Sequence, residues 1–296
     1  MLGEGGVTGQ IRHGGRTGTA LWWAARDACL SKRRRAVDMA RLLVNKGADV
    51  NAAGSEPGGN ESTPLWLAAK AAFLGVEDVV HLAKLLVARD ADVKAVGSDG
   101  DGSTSTALWW VAMAVWSHGA PAVELVELAK LLMAKGAEIN AAGKLQRGNY
   151  VAKESMPLWW AVWAVCDGEP GGLEMAKLLV MAGADVNAVG HHAGWRSPAS
   201  PSGIAGTPIW LAAQGMRDGK VDAPELARLL ISAGARLADD EKEEFQVIID
   251  GVTGGVKRNM HESDIGGEGG EGGLVQDTDS DGDNVRLAQR FPANTP

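Results

Sequence analysis

Few residues in this chain are of the types and spacings that could do chemistry. His191 and His192 are candidate metal ligands, but no Cys, Asp or Glu stands beside them at ligand spacing. The opening of a calcium loop is copied by a second group, Asp277, Asp279, Asp281 and Gly282. That copy fails at the twelfth position, where Ala288 replaces the bidentate Glu. We therefore expect no metal site.

Nucleophilic and phosphate chemistry are also poorly supported. Neither Cys29 nor Cys166 has a histidine at a spacing typical of thiol catalysis. The glycine-rich segments at the N-terminus and after Gly251 lack the GKS or GKT sequence of a phosphate loop, and HExxH, GxSxG and kinase motifs are missing from the sequence. We expect neither an enzyme nor a cofactor.

Composition indicates a globular chain. Of its 296 residues, 45% are hydrophobic and 22% are charged, and the longest apolar stretches run only about ten or eleven residues, too short to span a bilayer. The N-terminus lacks the pattern of a secretory signal, and two cysteines favour a reducing compartment, so we expect a cytoplasmic protein without membrane contact. The basic run at residues 32–35 is of the kind that serves nuclear import, although such runs are usually only hydrated.

The net charge of −8 is concentrated at one end of the chain. Residues 1–237 carry 24 Lys and Arg against 23 Asp and Glu, whereas residues 238–296 carry 5 against 14. A polyanion would meet a nearly neutral body and a repelling tail, so we expect no nucleic-acid partner.

Three motifs recur in the same order five times. The first motifs are TALWWAA, TPLWLAA, TALWWVA, MPLWWAV and TPIWLAA, beginning at residues 19, 63, 106, 156 and 207. Each is followed by a segment such as MARLL or LAKLL and then by GADVN or a variant of it. The opening Thr suits a helix N-cap and the following Pro the first helical position, so each unit is predicted to be a pair of antiparallel helices. In the fourth unit Met156 replaces Thr, and Ser155 is a candidate cap.

The TPL opening, the LL pair and the GADVN close, recurring together, resemble the ankyrin-repeat family over residues 19–237. The resemblance implies an all-α solenoid of five helix-turn-helix repeats with extended finger loops beside a concave, protein-binding surface. Two departures stand out. Tryptophan occupies the slot where the family usually has histidine, at residues 22, 66, 109, 159 and 210, and successive openings lie 44, 43, 50 and 51 residues apart instead of about 33.

The extra length divides the chain into constant and variable parts. From opening residue to closing Gly or Asp the spans are 27 to 30 residues, whereas the fingers grow from 16 to 24 residues. We predict repeats at residues 19–62, 63–105, 106–155, 156–206 and 207–237. They follow a flexible Gly-rich segment, 1–18, and precede a capping helix at 238–250 and a disordered acidic tail at 251–296. Asp90 closes the second repeat where the others have Gly, so a strained left-handed residue is expected there.

The resemblance also assigns candidate partner-binding residues. The groove positions that follow the LAA stretch include Arg26, Lys70, Met113, Trp163 and Gln214. Met113 and Trp163 would be apolar anchors if exposed, and the alternative is that longer helices bury both. In the fingers, the interface-favoured types Tyr150, Trp195 and Arg196 are further candidates.

Two functional hypotheses remain open at this point. The first is a monomeric, non-enzymatic scaffold that binds a protein or peptide through the groove and fingers. The second is a targeting adaptor whose acidic tail recruits a second factor.

The five slot tryptophans are predicted to form a buried ladder, each ring packing on the equivalents before and after it. Trp66→Ala should then lower the free energy of unfolding by about 3–5 kcal/mol. Thermal melts of the variant and the parent chain test this. An unchanged melting temperature would contradict the predicted ladder.

Overall fold

Five helix pairs follow one another along the chain, as the motifs predict. The computed structural model describes residues 9–100, 102–117, 121–147, 150–192 and 204–237, together with 247, 248, 250 and 251. The first, or inner, helices of the pairs are α1 (Ala20–Ser31), α3 (Pro64–Phe73), α5 (Ala107–Trp116), α7 (Pro157–Asp167) and α9 (Pro208–Arg217). The second, or outer, helices are α2 (Arg34–Asn45), α4 (Val79–Ala88), α6 (Ala122–Ala134), α8 (Gly172–Met181) and α10 (Ala223–Ser232).

Each inner helix packs against its outer partner and against the inner helices before and after it, and the outer helices pack in the same order. Inner helices α3, α5 and α7 are apolar nearly all round, because neighbours cover them on several sides. One continuous core results, and it runs the length of the stack. The predicted all-α solenoid of helix-turn-helix repeats is confirmed.

Hydroxyl caps start four of the five inner helices. The side chains of Thr19, Thr63, Thr106 and Thr207 each accept from the backbone N–H of the slot tryptophan three residues later. The prediction for the fourth repeat was wrong. Met156 is the N-cap residue of α7 without a side-chain cap, and the buried Oγ of Ser155 has no hydrogen-bond partner among the described residues.

The outer helix of the second repeat ends as the sequence predicts. Asp90 adopts φ 60°, the left-handed region, at the position where Gly47, Gly136, Gly183 and Gly234 also have positive φ. An exposed ion pair with Lys135, whose Nζ lies 2.8 Å from Asp90 Oδ1, lowers the pKa of this aspartate through the lysine's hydrogen bond and charge.

The fingers are antiparallel hairpins of short strands. They are β1 (Ile11–His13) with β2 (Arg16–Gly18), β3 (Gly54–Ser55) with β4 (Glu61–Ser62), β5 (Gly97–Ser98) with β6 (Thr104–Ser105), β7 (Gly143–Arg147) with β8 (Tyr150–Ser155), and β9 (Gly190–His192) with β10 (Ile204–Gly206). Strand β2 also pairs with β3, and β6 with β7, so neighbouring hairpins join side by side. The fingers thus line one side of the stack as a segmented sheet.

The slot tryptophans join each helix pair to the finger that follows it. Each of the first four rings lies against a glycine of the next hairpin, so close that a Cβ there would stand 2.2–2.5 Å from a ring atom; the glycines are Gly54, Gly97, Gly143 and Gly190. All four lie seven residues after the close of their repeat. Only glycine leaves room for the ring, so the Trp–Gly contact fixes the base of each finger.

The indole N–H groups reach further, to the last residue before the next inner-helix cap. Nε1 of Trp22 donates to Ser62 Oγ at 3.1 Å, and Nε1 of Trp66, Trp109 and Trp159 donates to the carbonyl oxygens of Ser105, Ser155 and Gly206 at 2.9, 2.8 and 3.1 Å. These four rings are 0–1% exposed. Tryptophan therefore supplies its own hydrogen bond in the slot where the family usually has histidine.

The predicted ladder differs in its register. Ring contacts between repeats run from a slot tryptophan to the second tryptophan of the next repeat, with centroids 5.7 Å apart for Trp66 and Trp110 and 5.8 Å for Trp109 and Trp160. Within a repeat, Trp109 contacts Trp110 at 5.1 Å edge to face. The stagger arises because helices of successive repeats interdigitate side chains instead of aligning equivalent ones.

An asparagine clasp adds polar contacts between the closing turns. Asn51 Nδ2 donates to the Asp90 carbonyl while its Oδ1 accepts from the Asp92 N–H, and Asn140 and Asn187 repeat this arrangement with the closing turns that follow them. In the second repeat the asparagine is replaced by Lys94, whose Nζ lies 3.7 Å from Glu138 Oε1. That joint is held by an exposed ion pair instead.

Segments outside the repeats are described only in part. The sequence predicts a flexible stretch over residues 1–18, and within it residues 11–18 form the β1–β2 hairpin, which pairs with β3. Of the predicted capping helix at 238–250, Ile248 packs against the core. The predicted tail at 251–296 lies outside the described residues apart from Gly251.

Gly97→Ala tests the Trp–Gly contact. The added Cβ would stand 2.5 Å from the Trp66 ring inside a closed core, so we expect a loss of about 1–3 kcal/mol in the free energy of unfolding. The matched control is Gly100→Ala in the same finger, where a Cβ meets nothing within 4 Å and the change should stay within about 0.5 kcal/mol. Urea denaturation compares the two. Equal stabilities would contradict the assignment.

Candidate functional site

The predicted groove residues occupy one recurrent position. Arg26, Lys70, Met113, Trp163 and Gln214 each lie four residues after a slot tryptophan, one helical turn along an inner helix. The inner helices hold them in a row, and the side chains of Arg26, Lys70 and Trp163 lie against tryptophan rings. The structure therefore brings these five together as a row, although their surroundings differ.

In the first repeat Arg26 lies between aromatic rings and a carboxylate. Its guanidinium carbon is 5.9 Å from the Trp22 centroid and 5.6 Å from the Trp23 centroid, within the range of cation–π attraction. Its Nε donates to Glu56 in the following finger, and Arg16 Nε donates to the same carboxylate at 2.6 Å. This charge cluster, Arg16, Arg26 and Glu56, ties two fingers to the inner helix and carries a net charge of about +1.

Lys70 repeats the arrangement in the second repeat. Its Nζ lies 5.4 Å from the Trp66 centroid and 5.7 Å from the Trp110 centroid, and it is paired with the Asp99 carboxylate of the β5–β6 finger. The two side chains are only 11% and 13% exposed. Partial burial strengthens such a pair relative to one on an open surface, so it holds the finger against the helix row.

Met113 and Trp163 are not the exposed anchors of the first alternative. Met113 is 0% exposed and Trp163 is 9% exposed, and the Trp163 ring stacks on Trp159 with centroids 5.4 Å apart and planes 10° apart. The row position faces the slot ring, and apolar side chains there complete the core instead of pointing outward. Burial, the second alternative, is what the structure has.

The remaining predicted residues are placed less centrally. Gln214, at the far end of the row, is half-buried and accepts from the Arg217 guanidinium. Tyr150 lies at the start of β8, in a hairpin finger. Trp195 and Arg196 lie outside the described residues.

The charge cluster is electrostatically asymmetric. Burial on its own would raise the pKa of Glu56, but hydrogen bonds from Arg26 and Arg16 and the charges of both arginines outweigh it and lower that pKa. The carboxylate is therefore ionised at neutral pH and is fully engaged by its two arginines.

The thiols have no catalytic setting. Burial raises the pKa of the Cys29 thiol to about 11 and that of Cys166 to about 12, so both are protonated at neutral pH. Cys166 donates from Sγ to the Leu211 carbonyl at 3.0 Å, and both cysteines are free of disulfides. Both residues pack in the repeat core.

The described part of the chain lacks two further kinds of site. Within those ranges the structure brings no three His, Cys, Asp or Glu residues together as metal ligands. Among the same residues, no helix has both the length and the apolar character to cross a bilayer.

Sequence reasoning missed the finger side of the row. Glu56 and Asp99 were not singled out, yet both bind the cation of the inner helix, and both follow a finger glycine by two residues. A glycine stands seven residues after the closing Gly or Asp of each of the first four repeats. That recurrence was the available signal, because a fixed spacing in otherwise variable loops indicates a structural demand.

Comparison with known families agrees with this geometry. The family model described as Ankyrin repeat matches residues 18–55 and 155–191, which contain the helix pairs α1–α2 and α7–α8. The chain contains ankyrin repeats. Comparison with curated proteins found no matching relative. The three helix pairs outside the matched ranges share the motifs of the matched two.

Ankyrin repeats are generally protein–protein interaction modules, and proteins built from them are typically non-enzymatic scaffolds. Of the row, Arg26, Lys70 and Gln214 are partly accessible, whereas Met113 and Trp163 are core residues.

The charge cluster makes stability depend on pH. Because the folded-state pKa of Glu56 is lowered, its contribution is present above the unfolded pKa of about 4.3 and is lost as the pH falls through the folded value. Glu56→Gln should cost about 1–3 kcal/mol at neutral pH and flatten the decline in stability between about pH 5 and pH 3. Urea titrations across that range measure it.

The control for this experiment is Glu61→Gln, an exposed residue of the same finger. It should leave both the neutral-pH stability and the acid slope nearly unchanged. If Glu56→Gln and Glu61→Gln behave alike, the cluster does not contribute to stability.

Proposed function

We propose that the protein is a non-enzymatic interaction scaffold that binds a protein or peptide partner across its fingers and the accessible part of the groove row. The observation that supports this is the regular stack of helix pairs, in which equivalent inner-helix and finger positions recur once per repeat. Such a surface offers many shallow contacts to an extended partner, which suits recognition more than catalysis.

The partner contacts are proposed at the fingers first. Tyr150 belongs to the β7–β8 finger. Trp195 and Arg196 lie in the sequence between β9 and β10, which is the longest of the segments that join two repeats. Tyr, Trp and Arg are the residue types that most often dominate binding energy. In the row, Arg26 and Lys70 would present the edges of their cations to acidic or carbonyl groups, while Gln214 would offer an amide.

Met113 and Trp163 enter this proposal only indirectly. As core residues they support the row from beneath, so Trp163→Ala is expected to report on stability before it reports on binding. Variants in the fingers are the sharper probes because they leave the helix stack intact.

A second reading, the targeting adaptor, draws on the uneven charge. The tail beyond residue 250 is acidic, in contrast to the nearly neutral repeats. A short motif there would recruit a second factor while the repeats hold a client.

The decisive experiment compares partners retained by four forms of the full chain: the parent, Tyr150→Ala, the Trp195→Ala, Arg196→Ala pair, and a matched control, Val221→Ala. Val221 is 92% exposed and lies between α9 and α10, away from the fingers. We expect the finger variants to lower the affinity for a purified partner about tenfold or more, and the control to leave that affinity unchanged. Unchanged affinity in both finger variants would contradict the finger assignment.

Deletion of residues 251–296 separates the two readings. A scaffold keeps every partner after the deletion, whereas an adaptor keeps its client and loses one other factor. Quantitative mass spectrometry of both captured sets makes the comparison.

A further inference from the structure

Among the described residues, none covers a face of the first repeat that every later repeat buries. Met39 on α2 is 52% exposed, whereas the residues in its slot are 0% exposed where outer helices pack against the preceding one; they are Leu82, Leu128, Met175 and Leu226. Leu42, one turn further along α2, is 51% exposed, and Leu30 at the end of α1 is 58% exposed. We call Leu30, Met39 and Leu42 the end strip.

The end strip is unusual for the terminal unit of a repeat stack, because such units ordinarily turn a polar face to solvent. An apolar strip on two adjacent helices, rimmed by charges, is typical of a surface that a macromolecule covers. The exposed charges on these helices include Asp27 on α1 and Arg35 and Asp38 on α2, and the exposed basic residues Lys32, Arg33, Arg34 and Arg41 lie in the same segment.

Another repeat stacked in register fits this end poorly. Asp27 occupies the slot that holds Ala71, Ala114, Ala164 and Gly215 in later repeats, where helices approach closely. Such stacking would bury the carboxylate, which is costly. Ile11 pairs with Gly18 as Gly54 pairs with Ser62, so a side chain stands where the other fingers keep a glycine for a tryptophan ring. Neither feature obstructs a head-to-head arrangement.

We propose that a second copy of this chain covers the end strip in a two-fold dimer, independently of the partner-binding surface. Asp27 lies four residues before the end of α1, and Arg35 is the second residue of α2, so both lie near the turn that joins the helices. Placing α1 of one copy on α2 of the other brings Asp27 towards Arg35 twice. In that arrangement each copy offers one acidic and one basic residue to the other, which is the reciprocal pairing that a two-fold interface requires.

The proposed dimer replaces the expectation of a monomer, which rested on sequence alone. Three half-exposed side chains are a small apolar contribution compared with the roughly 800 Å² per partner of a standard interface. We therefore expect a reversible association that depends on concentration, with a dissociation constant in roughly the micromolar range.

Sedimentation velocity of the full chain from about 1 to about 200 µM tests the proposal. We expect the sedimentation coefficient to rise with concentration to that of two chains, and the pair Met39→Glu, Leu42→Glu to remain monomeric with an unchanged circular dichroism spectrum. The matched control is Met181→Glu at a methionine of α8 that is 86% exposed, which should dimerise like the parent.

Charge exchange tests the geometry. Asp27→Arg alone and Arg35→Asp alone should each weaken dimerisation about tenfold or more, and the double exchange should restore it because the opposite signs meet again. A parent chain that stays monomeric at every concentration would overturn the proposal and leave the strip to a different protein. A dimer that survives Met39→Glu, Leu42→Glu, or one that the double exchange fails to restore, would also overturn it.

Discussion

A tryptophan ring pressed against a glycine backbone joins the levels of this structure. The ring belongs to an inner helix, the glycine to the finger that follows, and the indole N–H bonds the residue that precedes the next helix cap. One side chain thereby connects a helix, a loop and the next repeat. Histidine at this slot would present a smaller ring, and the close glycine contact suits the larger indole.

The chemistry of the groove row follows from that contact. One turn after the slot tryptophan, a cation lies over aromatic rings in the first two repeats. In the next two repeats the residue is buried, and in the fourth the Trp163 ring stacks on Trp159. A cation over buried rings needs a counter-charge, and Glu56 and Asp99 provide it from the fingers. The apolar residues Met113 and Trp163 need no counter-charge and are buried in the core. The first two repeats, where the row is charged, are thus the repeats in which ion pairs hold the fingers.

The sequence predicted the repeats, the threonine caps and the left-handed Asp90, because each follows from local rules of helix start, helix stop and backbone sterics. It did not predict that Met113 and Trp163 would be buried, since helical spacing assigns a face but not the depth of material above it. The staggered ring contacts and the exposure of Met39 depend on how neighbouring units meet, which a single unit's pattern does not contain. Glu56 and Asp99 were not predicted because they lie in finger segments whose sequences differ from repeat to repeat. Only the glycine two residues before each of them recurs at a fixed position.

The two ends of the four fingers between repeats are fixed by equivalent pairings, Gly54 with Ser62, Gly97 with Ser105, Gly143 with Ser155 and Gly190 with Gly206. Between those ends the separation grows from 8 to 12 to 16 residues. Doubling a loop whose ends are already held costs only about 0.6 kcal/mol of closure entropy. Sequence drift can therefore lengthen or replace a fingertip almost without penalty to the helices, so recognition is able to diversify at the tips while the stack beneath stays under separate constraint.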